Sequence, residues 1–120
     1  MIYTELDVWK ESRKLVKEVY LCTQSFPANE QYGLTNQIRR SSVSVPSNIA
    51  EGCGRNTSKD TLRFLHISRG SLYELETQLY IALDLDYLEK EVFDSSLNKI
   101  IICKKLLNGF INYYNSKING

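Results

Sequence analysis

What most constrains this chain is a three-to-four-residue spacing of apolar side chains that persists through four long segments. That spacing lines side chains along one stripe of an α-helix, whereas a strand would need alternation. Leu15, Val19, Cys22 and Phe26 make the first stripe, with Trp9, Val16 and Tyr20 beside it. Leu34, Ile38, Val45 and Ile49 make the second. Leu65, Leu72 and Leu79 recur every seven residues, with Ser68, Leu75 and Ala82 between them. Phe93, Ile100, Leu107 and Tyr114 follow the same period, joined by Leu97, Cys103 and Phe110.

Local punctuation sets the boundaries. The first helix is expected from Leu6 to Phe26, capped by Thr4 or Asp7 and ended by Pro27, because a residue before proline avoids the helical region. The second is expected to start near Asn29 or Glu30 and to stop at Gly52 and Gly54, read as left-handed caps. Pro46 falls inside it, removing one backbone donor and crowding the Ser42 carbonyl. The stripe keeps its phase across Pro46, so one kinked helix is expected rather than two. Ser41, Ser42 and Ser44 are expected to serve the freed backbone groups. Thr57 and Asp60 restart the chain as a third helix. Gly70 lies mid-helix, where glycine usually marks a close approach. A fourth helix is expected over 91–118. The connections are short and no second domain is evident. Residues 1–120 therefore read as a single all-α domain, an antiparallel up-and-down four-helix bundle with a Pro-kinked second helix.

Composition excludes several alternatives. At 120 residues and 42% hydrophobic content, the chain can bury one core and has no need to be disordered. Two prolines and six glycines are too few for an all-β chain cut by turns. No apolar run approaches the ~20 residues of a membrane span. Glu5 and Asp7 interrupt any leader-like start. Cys22, Cys53 and Cys103 are odd in number and widely spaced, which reads as three reduced thiols in a cytoplasmic protein. His66 is the sole histidine, so one chain cannot build a multi-histidine metal site. Neither a phosphate-loop motif nor a nucleophile elbow occurs. The expectation is a protein without cofactor, metal, membrane partner or small-molecule substrate, and not an enzyme.

Charge is balanced overall, at a net +1, but unevenly distributed. Residues 39–69 carry Arg39, Arg40, Arg55, Lys59, Arg63 and Arg69 against only Glu51 and Asp60. Residues 70–98 carry seven carboxylates against Lys90 alone. The six cations are candidates for binding RNA, DNA or another anion, and Gly52 to Lys59 is the nearest thing to a phosphate cradle. The third helix runs from basic to acidic, against the preference of its dipole. That order suggests ion pairs between subunits, a basic rim for phosphate, or charge that water simply solvates.

The third and fourth segments also carry more apolar surface than one bundle face needs. His66, Tyr73, Tyr80 and Tyr87 recur every seven residues, one residue out of phase with the leucine seam. That rotates them by about 100°. Ile101, Ile111 and Tyr113 widen the arc of the last helix in the same way. These seven residues are the candidate oligomer interface.

Two long stretches add a family resemblance. They are Tyr32-Gly33-Leu34-Thr35-Asn36-Gln37-Ile38-Arg39-Arg40 with Val45-Pro46-Ser47-Asn48-Ile49-Ala50-Glu51-Gly52, and Arg69-Gly70-Ser71-Leu72-Tyr73-Glu74-Leu75-Glu76-Thr77-Gln78-Leu79. Together with Leu6-Asp7-Val8-Trp9, they resemble the bacterial four-helix-bundle proteins encoded in intervening sequences of 23S ribosomal RNA genes. The resemblance implies an up-and-down bundle assembling as a homopentamer, and the leading expectation for the chain is a non-enzymatic, self-assembling scaffold or adaptor of unassigned partner. It also implies kinship with the accessory variability determinant of diversity-generating retroelements, a basic pentameric barrel that binds nucleic acid. Arg39, Arg40, Arg55 and Arg69 match the recurrent arginines of that group, and Ser41 and Ser42 stand where it often has alanine.

Overall fold

The computed structural model describes residues 2–119. It contains four α-helices, α1 (Asp7–Thr23), α2 (Leu34–Cys53), α3 (Ser58–Asp84) and α4 (Lys90–Asn119). Two short 3-10 turns, Tyr3–Glu5 and Ala28–Glu30, precede α1 and α2, and no strand occurs among the described residues. Each helix packs on its two neighbours in a closed ring of four, while α1 and α3, and likewise α2 and α4, stand diagonally apart. The body measures 49 × 25 × 21 Å.

Cross-helix hydrogen bonds fix the directions. Along α2 and α3, Gly52 meets Thr61, Val45 meets Ser68, Ser44 meets Ser71 and Ser41 meets Glu74, so one number falls as the other rises. Thr23, at the end of α1, meets Arg39 near the start of α2. Glu18 meets Ser95 and Lys99 early in α4, while Asn108 late in α4 meets Arg69 early in α3. Neighbours therefore run antiparallel, and α1 runs parallel to its diagonal partner α3.

The stripes read from the spacing form the core. Leu15, Val19, Ile38, Val45, Ile49, Leu65, Leu72, Leu75, Ile100 and Leu107 have no exposed surface. Removing such side chains from water supplies about 1.5–3 kcal/mol each, the main force holding the ring closed. The seam between α2 and α3 is different in kind. There small polar residues let the helices come close. The Ser68 hydroxyl donates to the Val45 carbonyl at 2.8 Å, and that of Thr61 to the Gly52 carbonyl at 2.8 Å. Gly52 is the close-approach glycine: a Cβ there would lie 3.1 Å from both the Phe64 Cβ and the Thr61 carbonyl oxygen. Gly70 is not, since a Cβ there would meet nothing within 4 Å. The expected contact at Gly70 is corrected because that position points away from the bundle.

The helix ends also depart from expectation. α1 begins without a side-chain cap; Leu6 holds the capping position. α2 starts later than expected, and the Glu30 carboxylate accepts from the Leu34 amide at 3.1 Å, four residues on. Thr57 does cap α3, its hydroxyl accepting from the Asp60 amide at 3.1 Å. Gly52 and Gly54 are not left-handed; the left-handed residue is Asp86, at φ 61°. It ends α3 by turning the Tyr87 amide back onto the Ala82 carbonyl at 2.9 Å. α2 continues through Pro46 as one helix. Its serines turn mostly to α3 and to the preceding turn: Ser42 donates to the Arg39 carbonyl, and Ser44 pairs with Ser71.

Candidate functional site

Two surfaces compete as the functional site, the arginine-rich stretch and the exposed apolar arc of α3 and α4. The structure disperses the first. Arg39 and Arg55 are sixteen residues apart on and just beyond α2, which is about 24 Å of helix. Arg39 braces α1, its Nε donating to the Thr23 hydroxyl at 2.9 Å and its guanidinium lying 4.6 Å from the centre of the Tyr20 ring. Arg55 pairs with Glu51 and stacks over Phe64, which Arg63 shares while pairing with Asp60 at 3.5 Å. Arg69 reaches Asn108 at 3.2 Å and the His66 ring at 3.0 Å. Of the six, only Arg40 and Lys59 have no ion pair, side-chain hydrogen bond or aromatic contact among the described residues. The six candidates thus do not form one basic patch within a subunit.

The Gly52–Lys59 loop closes on itself. The Gly54 amide donates to the Ala50 and Glu51 carbonyls, and that of Arg55 to the Gly52 carbonyl. These two amides are thus spent on the end of α2 and do not face an incoming anion.

The apolar arc is better developed. Tyr73 is 53% exposed and Tyr80 46%, with Ile67 and Ile81 on the opposite flank of α3 also exposed. Ile101 and Tyr113 extend the arc on α4. Lys104 lies 4.1 Å from the centre of the Tyr73 ring while donating to Glu76 at 2.9 Å, and the Tyr80 and Phe93 rings stand edge to face with their centres 4.8 Å apart. His66, exposed, ends the line beside Arg69. Two expected members leave the surface. Ile111 is only 2% exposed and belongs to the core. Tyr87 is half-buried against Phe26, and its hydroxyl donates to Glu30 at 2.9 Å, which ties the last connection to the first. That hydrogen bond pushes the phenol above its ordinary range.

The thiols face inward. Burial pushes Cys103 up to about 12 and Cys22 up to about 11, so both stay protonated near neutrality. Cys53 is raised by burial as well. No cluster of metal-ligating side chains occurs among the described residues, and none of their helices is long and apolar enough to cross a membrane.

One basic feature escaped the sequence reading. Lys10, Arg13, Lys14 and Lys17 all project from the solvent face of α1, a ridge visible only once the buried stripe of α1 is located. Arg13 lies over the Trp9 ring at 4.7 Å, and Lys14 pairs with Glu11.

Comparison with known proteins places this bundle. The crystal structure of a protein of unknown function from the S23 ribosomal protein family of Bacteroides thetaiotaomicron VPI-5482 superposes with a TM-score of 0.78 at 26% identity. The match covers 87% of this chain and 97% of that one. No curated protein matches the chain. The model of the family described as 23S rRNA-intervening sequence protein matches residues 4–109, nearly the whole bundle, and the chain therefore belongs to the 23S rRNA-intervening sequence protein family.

Proposed function

We propose that the chain is a self-assembling scaffold or adaptor, a cytoplasmic module that performs no chemistry of its own. The carrying observation is the outer face of α3. Its inner stripe is completely buried, yet Ile67, Tyr73, Tyr80 and Ile81 stay exposed on the outside of the same helix. A lone subunit leaves that arc in water, and copies covering one another remove it. The family resemblance supports a closed ring of five. Anion binding by the ring is the lesser reading, because it rests on Arg40 and Lys59, repeated once per subunit.

Light scattering coupled to gel filtration tests the proposal, with a species of about five subunits expected at micromolar concentration. A clean monomer there removes it. A low-salt gel shift with RNA or DNA that weakens steeply with added salt, and that Arg40 replacement abolishes, would promote the lesser reading.

A further inference from the structure

Resting on that self-assembly reading, we infer that the subunits join head to tail, with the outer face of α1 on one copy docking against the outer face of α3 on the next. Three observations carry this. First, α1 and α3 are diagonal helices, so their outer faces lie on opposite sides of the bundle and are available together. Second, both faces mix apolar and charged groups. Leu21 and Tyr20 are exposed on α1 as Tyr80 and Ile81 are on α3.

Third, the charges match by level. The ties through α2 (Arg39 to Thr23, Ser41 to Glu74) and through α4 (Glu18 to Lys99, Lys104 to Glu76) place the Arg13–Lys17 turn of α1 beside the Gly70–Glu76 stretch of α3. From that shared end, α1 and its leading turn run acidic, basic, apolar: Glu5 and Asp7, then Lys10 to Lys17, then Tyr20 and Leu21. From the same end α3 runs basic, acidic, apolar: Lys59 and Arg63, then Glu74, then Tyr80 and Ile81. Two copies side by side at equal height, α1 parallel to α3, therefore bring Asp7 toward Arg63, the Lys14–Lys17 turn toward Glu74, and apolar against apolar. Turning one copy end over end would set Asp7 level with Asp84. The pattern selects copies that point the same way at the same height, a relation that a closed ring with its axis along the bundle also has.

The individual charges agree. Lys10, Lys17, Glu74 and Asp84 have no ion-pair partner among the described residues of their own subunit. The basic-to-acidic run of α3, unfavourable for its own dipole, becomes half of a complementary pair.

Charge reversal in the full chain tests the docking. Lys17→Glu and Glu74→Lys alone should each weaken assembly about tenfold by sedimentation, and the double reversal should restore it. Because Glu74 also meets Ser41 on a neighbouring helix, a second pair, Asp7→Lys and Arg63→Glu, repeats the test on exposed positions, Arg63 pairing only within its own helix, with circular dichroism confirming the fold. Rescue in either pair supports the interface. Assembly indifferent to both pairs overturns it while leaving self-assembly standing, whereas a monomeric parent chain overturns the self-assembly reading itself.

Discussion

The two mid-chain glycines should respond in opposite directions to the same substitution. Alanine is favoured over glycine in a helix interior by about 1 kcal/mol. At Gly70 nothing opposes that gain, since the new methyl meets open space. Gly70→Ala should therefore stabilise the fold by about 1 kcal/mol. At Gly52 the methyl would lie 3.1 Å from the Phe64 Cβ and the Thr61 carbonyl oxygen. Neither is a flexible side-chain tip, so α3 must retreat by a few tenths of an ångström. Such overpacking costs about 1–3 kcal/mol. The retreat also stretches the 2.8 Å bond from Thr61 to the Gly52 carbonyl, worth about 1 kcal/mol. Set against the propensity gain, Gly52→Ala should destabilise by about 1–2 kcal/mol and lower Tm by about 4–8 °C. Urea unfolding followed by circular dichroism, at one fixed dilute concentration so that assembly contributes equally, would measure both. If Gly52→Ala matched or exceeded the parent in stability, the close α2–α3 approach would not set the packing there, and the reasoning would fail.

Further outcomes follow from the core, the turns and the thiols. Leu72→Ala, at a position with no exposed surface, should cost about 2–5 kcal/mol by the same urea assay. Asp86→Gly should stabilise by about 1 kcal/mol, because a left-handed backbone at φ 61° is strained for a residue with a Cβ; no gain would mean the aspartate side chain compensates the turn. For Cys103, burial raises the folded thiol from 9.0 to about 12, so the folded state holds its proton longer than the unfolded chain. The part of stability linked to this thiol should be level below pH 9 and fall as pH rises from there toward 12; in Cys103→Ala that part of the decline should be missing. Replacing Thr57 by alanine removes the α3 cap and should cost about 1 kcal/mol, read as a shift in urea midpoint.

Much of this molecule was legible because its core is written in spacing. Each buried stripe could be read from intervals of three and four, and even Ile111 carries the signal, four residues after Leu107. The wider apolar arc of α4 blurs where one face ends, and this alone makes Ile111 resemble a surface residue. What stayed hidden depended on partners distant in the chain. Arg39 looks like a free cation until Tyr20 and Thr23 arrive from another helix. Tyr87 looks like the last rung of a surface ladder until Glu30 takes its hydroxyl. The α1 ridge of lysines was overlooked because it is interrupted by Glu11, whose side chain turns aside to Lys14. The stop after α3 was missed because aspartate there does what glycine usually does.

The serine-lined contact between α2 and α3 bears on how well the four rods hold their alignment. Greasy surfaces grip without preferring one axial position over its neighbour a turn away, so a bundle glued only by leucines can shuttle lengthwise. Here hydroxyls catch carbonyls and each other at several heights, and a one-turn slip would break these pairs and strand the buried Thr61 and Ser68 hydroxyls away from water. The pair behaves as a detent, and any larger structure assembled from many such units inherits its accuracy of height from those few oxygen atoms.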